Sequence, residues 1–349
     1  MKKTTLLFII ILLFLLLSCK KDITQVEDEI LKETEKISAE YTSNDKKKIQ
    51  KGIPSPLSGI YAPEKKVKRR PVAVMFDNHP NARWQSGLSQ AEIVYEFLVE
   101  APYTRYMGIF LINDPEAIGP IRSSRPYFIT ALLEYDPIYV RVGGSPQAKQ
   151  DIIKLNIADI DGLSSSNEVF WENKKVKKRS PHNTYTSMKV IREVQGLKGY
   201  DLIGHYEGFK FNDEDVELEG FVANSIDIHY YNNNVTSYIY NSNEKLYYRK
   251  KDGVEHHDEL DNTPIKTKNI IIQEAKTSVI DKEGRLSIDL IGEGKGKYIT
   301  NGKGIDIKWS KESRNSKTYY YDKNGEEIVL NPGITWIQVV NTNTIIDIY

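Results

Sequence analysis

The sequence predicts an α+β protein, with an α/β N-terminal domain followed by an all-β C-terminal domain. Three observations carry this. Apolar runs alternate with helix-like stretches from about residue 60 to about residue 205. After about Gly208 the helical pattern stops, and short runs rich in Tyr, Ile, Val and Thr follow between turn signals. Cys19 is the only cysteine in 349 residues, so no internal disulfide exists and the fold must stand on its core.

The first 18 residues read as a secretory signal. Lys2 and Lys3 are its basic start, and Leu6 to Leu17 is an apolar run too short to span a bilayer comfortably. Leu16-Leu17-Ser18-Cys19 resembles a lipobox, so Cys19 is the expected lipidation site. The partner this implies is the membrane, with the mature chain held at the extracytoplasmic face of the cell membrane. Lipid chains contribute roughly 0.8 kcal/mol per buried methylene. Lys+Arg and Asp+Glu stand at 48 each, and loss of Lys2 and Lys3 leaves 46 against 48, a net charge of −2. No global field favours nucleic acid, and none is expected as a partner.

Residues 19–56 read as a polar tether, rich in Lys, Glu, Asp, Thr and Ser. The α/β domain is expected over 57–210. Pro71–Phe76, Tyr106–Ile112 and Ile138–Val142 are its strands. Ser89-Gln90-Ala91-Glu92 has capping-box spacing and predicts a helix to about Phe97. Further helices are expected at Arg125–Tyr135, Pro146–Leu155 and Ser187–Val194. Residues 215–349 are expected to form a small sandwich or barrel. Its strands are placed at Ile226–Tyr231, Thr236–Tyr240, Leu246–Arg249, Ile270–Gln273, Leu286–Leu290, Gly304–Trp309, Thr318–Tyr321 and Thr335–Val340. Asn324-Gly325 signals a hairpin.

Several of these segments resemble one family. Arg70-Pro71-Val72-Ala73-Val74 with Asp77-Asn78-His79-Pro80-Asn81-Ala82-Arg83 is the opening signature of the YerB-like lipoproteins with DUF3048 domains. Gln85-Ser86-Gly87-Leu88, Ile93-Val94-Tyr95-Glu96, Thr104-Arg105, Gly119 to Arg125, Gly143-Gly144-Ser145-Pro146 and Pro181-His182-Asn183 continue it. Asp306 to Trp309 and Pro332 to Gln338 look like the family's second domain. Trp84 and Ala101-Pro102 depart from the pattern, where proline and glycines are expected. The resemblance implies a lipoprotein of this architecture. It implies no activity, so function must be argued from the residues.

Asp77-Asn78-His79 directly follows an apolar strand, and ligands bind at the carboxyl ends of strands in open α/β sheets. Asp77 and His79 are catalytic candidates, and Asn78 and Arg83 binding candidates; an Asx turn closed by Pro80 is the alternative. Arg122-Ser123-Ser124-Arg125 places two guanidiniums on one helix face if the helix has begun, which suits an anion. Internal pairing with Glu96, Glu100 or Asp114 is equally open. Gly143, Gly144 and Ser145 follow a strand and open a helix, as an anion cradle or as a tight turn with an N-cap. His182 is a candidate acid, able to reach Asp77 or Glu96, with Asn183 beside it as a binding residue. Lys174–Arg179 reads as a solvated loop, and His256-His257-Asp258 as a hairpin tip. Asp159-Ile160-Asp161-Gly162 is an incomplete cation loop. No metal is assigned, and no motif names a cofactor.

The expected function is a surface-anchored envelope protein that binds an anionic glycan or cell-wall ligand in the α/β cleft. A hydrolase or transferase acting on such a polymer is the first alternative, and a lipoprotein that docks an envelope protein is the second.

Overall fold

In the computed structural model the described residues are 51–349. The expected signal, Cys19 and the tether as far as residue 50 lie outside them. Continuous apolar runs form the middle of one large sheet. In chain order the strands are β1 (Val72–Asp77), β2 (Ile93–Leu98), β3 (Thr104–Phe110), β4 (Ile138–Arg141), β5 (Asp159–Asp161), β6 (Phe221–Val222), β7 (Ser225–Tyr231), β8 (Asn234–Asn241), β9 (Leu246–Lys251), β10 (Asn269–Glu274), β11 (Gly292–Thr300), β12 (Lys303–Lys311), β13 (Thr335–Val340) and β14 (Ile345–Ile348). Every residue of β1, β2, β3 and β13 is buried, as expected for strands covered on both faces.

The fold is mostly strand with few helices. An eleven-stranded sheet runs β6-β12-β11-β10-β13-β2-β3-β1-β4-β5, with Tyr319–Tyr321 against β12. The strand β13, from the chain's end, lies parallel between β10 and β2. Strands of both halves therefore share one hydrogen-bonded sheet, and Gly52–Tyr349 forms one compact unit. A separate sandwich or barrel over 215–349 is not how the core is organised. A second sheet of six strands is built on β9, β8, β7 and β14.

The helices that matter for the site are α1 (Pro126–Leu132), α2 (Pro146–Lys154) and α3 (Met188–Leu197). Ser145 and Ser187 cap α2 and α3 by accepting from the Ala148 and Val190 N–H groups, each at 3.3 Å. The helix expected from Ser89 to Phe97 is absent. A single 3-10 turn, Leu88–Gln90, leads into β2 instead. The capping-box glutamate is used elsewhere. Buried Glu92 accepts from Ser55 Oγ at 2.5 Å, Ser58 Oγ at 2.7 Å, and the Leu111 and Ile112 N–H groups. Asp258 takes the Gly87 and Ser89 N–H groups, each at 2.8 Å. These contacts, and the β-branched and aromatic run Ile93–Phe97, override the local signal. Because Ser55 is buried and Ile53–Pro54 pairs with Tyr61–Ala62, the folded body begins inside the stretch expected to be tether.

A buried charge cluster joins the two sheets. Glu96 on β2 receives Arg249 at 2.6 Å and Lys251 at 3.0 Å, all three side chains fully buried. Thr104 and Thr236 donate to the same carboxylate. Burial alone would raise the Glu96 carboxyl, but Lys251, Arg249 and Thr104 hold it down at about 2. One acid faces two cations, so a positive charge is left over. The cost falls on Lys251, which stays a cation at neutral pH: burial, with Arg249 beside it, pulls it down to about 8 against the pull of Glu96. The Arg249 guanidinium also lies over Trp336, Tyr106 and Tyr238.

Candidate functional site

Strand direction decides what meets at the carboxyl edge. The strands β1, β4 and β5 run parallel, so Asp77, Arg141 and Asp161 end together. Antiparallel β3 begins at that edge, which places Arg105 opposite Asp77. The segment 121–124 closes over the edge. Arg122 N–H donates to Met75 O, and Ser124 pairs with Gly144.

Asp77 is buried, and its carboxylate is shared. Oδ2 takes His182 Nδ1 at 2.8 Å and faces Arg122 Nε at 3.3 Å, while Oδ1 accepts the His79 N–H at 2.9 Å. A carboxylate partner makes His182 Nδ1 the donor, leaving the Nε2 lone pair unspent. The His79 ring stacks on His182 with centroids 4.5 Å apart, and Tyr103 packs on His79 at 4.6 Å. His79 Nδ1 accepts from the Asn81 N–H at 3.1 Å. Burial first, then His182, Arg122 and Arg83, hold His79 below its ordinary range despite Asp77. His79 is therefore neutral at pH 7, and Asp77, being committed to three donors, is an orienting group more than an available base.

The two predicted arginines part company. Arg122 precedes the helix, so the two do not share a helix face. Its side chain is 29% exposed and touches Asp77. Arg125 stands just before α1 and pairs with Glu100 at 2.7 Å, as the internal-pairing alternative expected. Arg105 was given no role by sequence reasoning. It is buried, donates to Ser123 O at 2.7 Å, and makes no ion pair among the described residues. Burial and neighbouring Arg125 pull it down to about 10 while Asp77 opposes. The Thr104-Arg105 pair at a strand start was visible in the sequence, but only the antiparallel register reveals what it faces.

Other candidates are spent within the fold. The Gly143 N–H donates to Asp161 Oδ1 at 2.7 Å, so a protein carboxylate already takes the place an anion would use. The left-handed φ of Gly143, +70°, serves this turn, while a Cβ at Gly144 would meet the Ser124 Cβ only in ordinary contact, at 3.4 Å. Ser145 is the N-cap already described. Asn78 is buried between Thr104 and Arg83, and Arg83 pairs with Asp252. Asp159 and Asp161 bind Arg141. Asn183 is buried with its Oδ1 unpartnered. Lys174, Lys175, Lys177 and Arg179 are exposed as a solvated loop would have them, but the Lys178 side chain turns inward and pairs with Glu259 at 2.6 Å. Among the described residues no group of three His, Cys, Asp or Glu is arranged to hold a metal.

His256-His257-Asp258 leads into a hairpin turn, with His257 paired to Pro264 and the Asp258 N–H donating to Thr263 O, but His256 itself is buried against the body of the protein. Arg249 can only donate, so His256 accepts at Nδ1 and donates from Nε2 to Gln85 Oε1 at 2.8 Å. Gln85 then donates to the Asp77 backbone carbonyl at 2.8 Å. A continuous polar chain thus runs from the Glu96 cluster to Asp77. Trp84, at the position departing from the family pattern, packs on His256 at 4.8 Å.

The comparisons with known proteins agree with this organisation. Residues 57–201 match the N-terminal domain, and residues 226–337 the C-terminal domain, of a protein family of unknown function, DUF3048. The chain belongs to the DUF3048 family. Among its relatives this DUF3048 protein is 37% identical over 293 residues to YerB of Bacillus subtilis (strain 168), whose name classes it among lipoproteins; the match covers 83% of this chain and 87% of that one. It is also similar to the crystal structure of the YerB protein from Bacillus subtilis, with a TM-score of 0.77 and 35% identity, over 84% of this chain and 99% of that one. No helix among the described residues is long and apolar enough to cross a membrane.

Proposed function

We propose that this DUF3048 lipoprotein is held at the outer face of the membrane by lipidated Cys19 and binds an anionic glycan or cell-wall ligand beside Asp77. One observation carries the binding reading. Arg122 and His182 converge on a single Asp77 oxygen, both keep some exposure, and buried Arg105 stands at the same edge without an ion-pair partner among the described residues. Two guanidiniums, Arg122 and Arg105, stand at this edge against the one Asp77 carboxylate, and an incoming phosphate or carboxylate restores the balance. The test is calorimetric titration with a glycerol-phosphate oligomer. Arg122→Ala is expected to weaken binding by about 1–3 kcal/mol, the size of a charged hydrogen bond, with little change in stability. An unchanged affinity would remove the site. The anchor is checked by metabolic labelling with a fatty-acid probe, which should mark the wild type and not Cys19→Ala.

The Asp77–His182 hydrogen bond favours a second reading, hydrolysis or group transfer on the same polymer. An oriented imidazole with a free Nε2 is what a general base requires. Turnover of wall polymer that is lost in His182→Gln would support it, and binding without turnover would leave the first reading alone.

A further inference from the structure

A groove of about 610 Å³ lies on the same edge of the large sheet as Asp77. Its walls come from two hairpin turns, the link between β13 and β14, and the short hairpin that pairs Thr277–Val279 with Leu286–Ile288. Leu98 and Pro102 belong to the β2–β3 turn, Tyr231 and the two asparagines after it to the β7–β8 turn, and Asn341 and Asn343 to the β13–β14 turn. Because β13 is parallel to β2, Asn341 and Leu98 emerge together. No Asp, Glu, Lys or Arg lines the groove, although 28% of the chain is charged. Its single histidine, His229, is engaged with Asp347 at 3.0 Å. Asparagine is an ordinary turn residue, so turn chemistry accounts for each connection taken alone. It does not account for the absence of Asp, Glu, Lys and Arg from the lining as a whole, when Glu100 in the β2–β3 turn is directed away to Arg125.

The amides are available. Asn232, Asn233 and Asn343 are exposed and make no side-chain hydrogen bond among the described residues. Asn341 is fixed by accepting from the Thr277 and Thr342 N–H groups at 3.1 and 3.0 Å, which leaves its Nδ2 to donate outward. An amide offers a donor and an acceptor side by side, the pattern that a pair of ring hydroxyls matches. Half-buried Tyr231 adds an aromatic surface.

We propose that this groove is a subsite for an uncharged saccharide, so that one glycan lays neutral rings over Tyr231 and the asparagines and an anionic group beside Arg122 and His182. The inference rests on the reading of the Asp77 edge as a glycan site, and it names the ligand class more closely. The β2–β3 turn joins the two places. Pro102 faces the groove and accepts from Asn234 Nδ2 at 2.7 Å, while Tyr103 packs on His79 and Glu100 holds Arg125. Along the edge β2 and β1 are two strand spacings apart, about 10 Å, within reach of a short oligosaccharide.

The test titrates the full chain, in detergent, with chitotetraose as a neutral probe and with the glycerol-phosphate oligomer as an anionic one. The wild type should bind chitotetraose, and the double variant Asn232→Ala/Asn343→Ala should bind it at least tenfold more weakly. Arg122→Ala should leave that affinity within twofold while weakening the anionic probe. Asn343→Asp, which keeps the shape and adds a charge, should act in the same direction as the double variant and guards against misfolding. No chitotetraose binding by the wild type at millimolar concentration, or equal affinity in the asparagine variants, overturns the groove. Displacement of chitotetraose by an uncharged tetrapeptide at equal concentration would overturn it too, in favour of a peptide site. Loss of anionic binding alone would count against the Asp77 reading and leave the groove standing.

Discussion

Arg122 and Arg125 stand three residues apart, carry the same charge and serve different ends. Arg125 is closed in by Glu100 and by the Ser124 carbonyl it donates to at 2.8 Å. Arg122 has only the shared Asp77 oxygen and keeps part of its surface. In the same titrations, Arg125→Ala should therefore leave affinity for the glycerol-phosphate oligomer unchanged and lower unfolding stability by about 1–3 kcal/mol, as Glu100 loses its partner. If instead Arg125→Ala abolishes binding and spares stability, the assignment of the two arginines is reversed. The sequence alone left them equal because local spacing says nothing of which acids the fold delivers. Asp77, His79, Arg122 and His182 were legible as polar residues at predicted strand ends and loops, and they do meet. Asn78, Arg83 and Gly143 were equally legible, but their partners come from distant strands and loops and use up their polar groups, while Ser145 is spent locally as the N-cap of α2. Arg105 was passed over because a strand-start arginine acquires meaning only from the register opposite Asp77.

At the scale of the element, β2 shows why local pattern failed at one place and held at others. Apolar runs such as Val72–Phe76 and Thr335–Val340 can only be buried strands, and they are. The Ser89–Glu92 capping box is a short-range signal worth about 1 kcal/mol. It loses to Glu92 accepting four hydrogen bonds and to β2 pairing on both sides. The same strand carries Glu96, and a buried acid in an apolar run was the one sequence mark of the cluster behind the site. Removing its charge leaves Arg249 and Lys251 uncompensated, so Glu96→Gln should destabilise the protein by about 3–5 kcal/mol. Acid should act on the same contact. The folded carboxyl, at about 2, lies below its ordinary 4.5. Its contribution is complete above that ordinary value and is lost as pH falls through the folded one, about 3 kcal/mol in all. Lys251 gives a slope of the same sign at the alkaline end: its depressed folded value makes stability rise with pH between about 8 and its ordinary 10.5, as its buried charge is shed. Urea midpoints measured from pH 6 to pH 2.5 should fall for the wild type and flatten in Glu96→Gln. Parallel curves would mean that Glu96 is not the group being titrated.

For the whole molecule the sheet order has a consequence that the chain order hides. The two DUF3048 segments adjoin along the sequence, yet β13 hydrogen-bonds to β2 over Ile93–Phe97, and the second sheet supplies both cations for Glu96. A fragment holding residues 57–210 would expose the whole flank of β2 as an unpaired apolar edge and leave Glu96 buried or flooded without Arg249 or Lys251. It would also lose His256, and with it the chain of hydrogen bonds that reaches Asp77 through Gln85. Residues 52–349 should thus unfold in one cooperative transition followed alike by tryptophan fluorescence and far-ultraviolet circular dichroism. The 57–210 fragment alone should show no cooperative melt, bind no glycerol-phosphate oligomer and tend to associate through the open edge. Adding residues 215–349 in trans should restore both the transition and the binding, because the missing strand and the missing cations arrive together. A fragment that melts cooperatively on its own would show that β13 and the charge cluster are accessories to an independently stable half, and the Glu96→Gln result would then be expected to shrink with it.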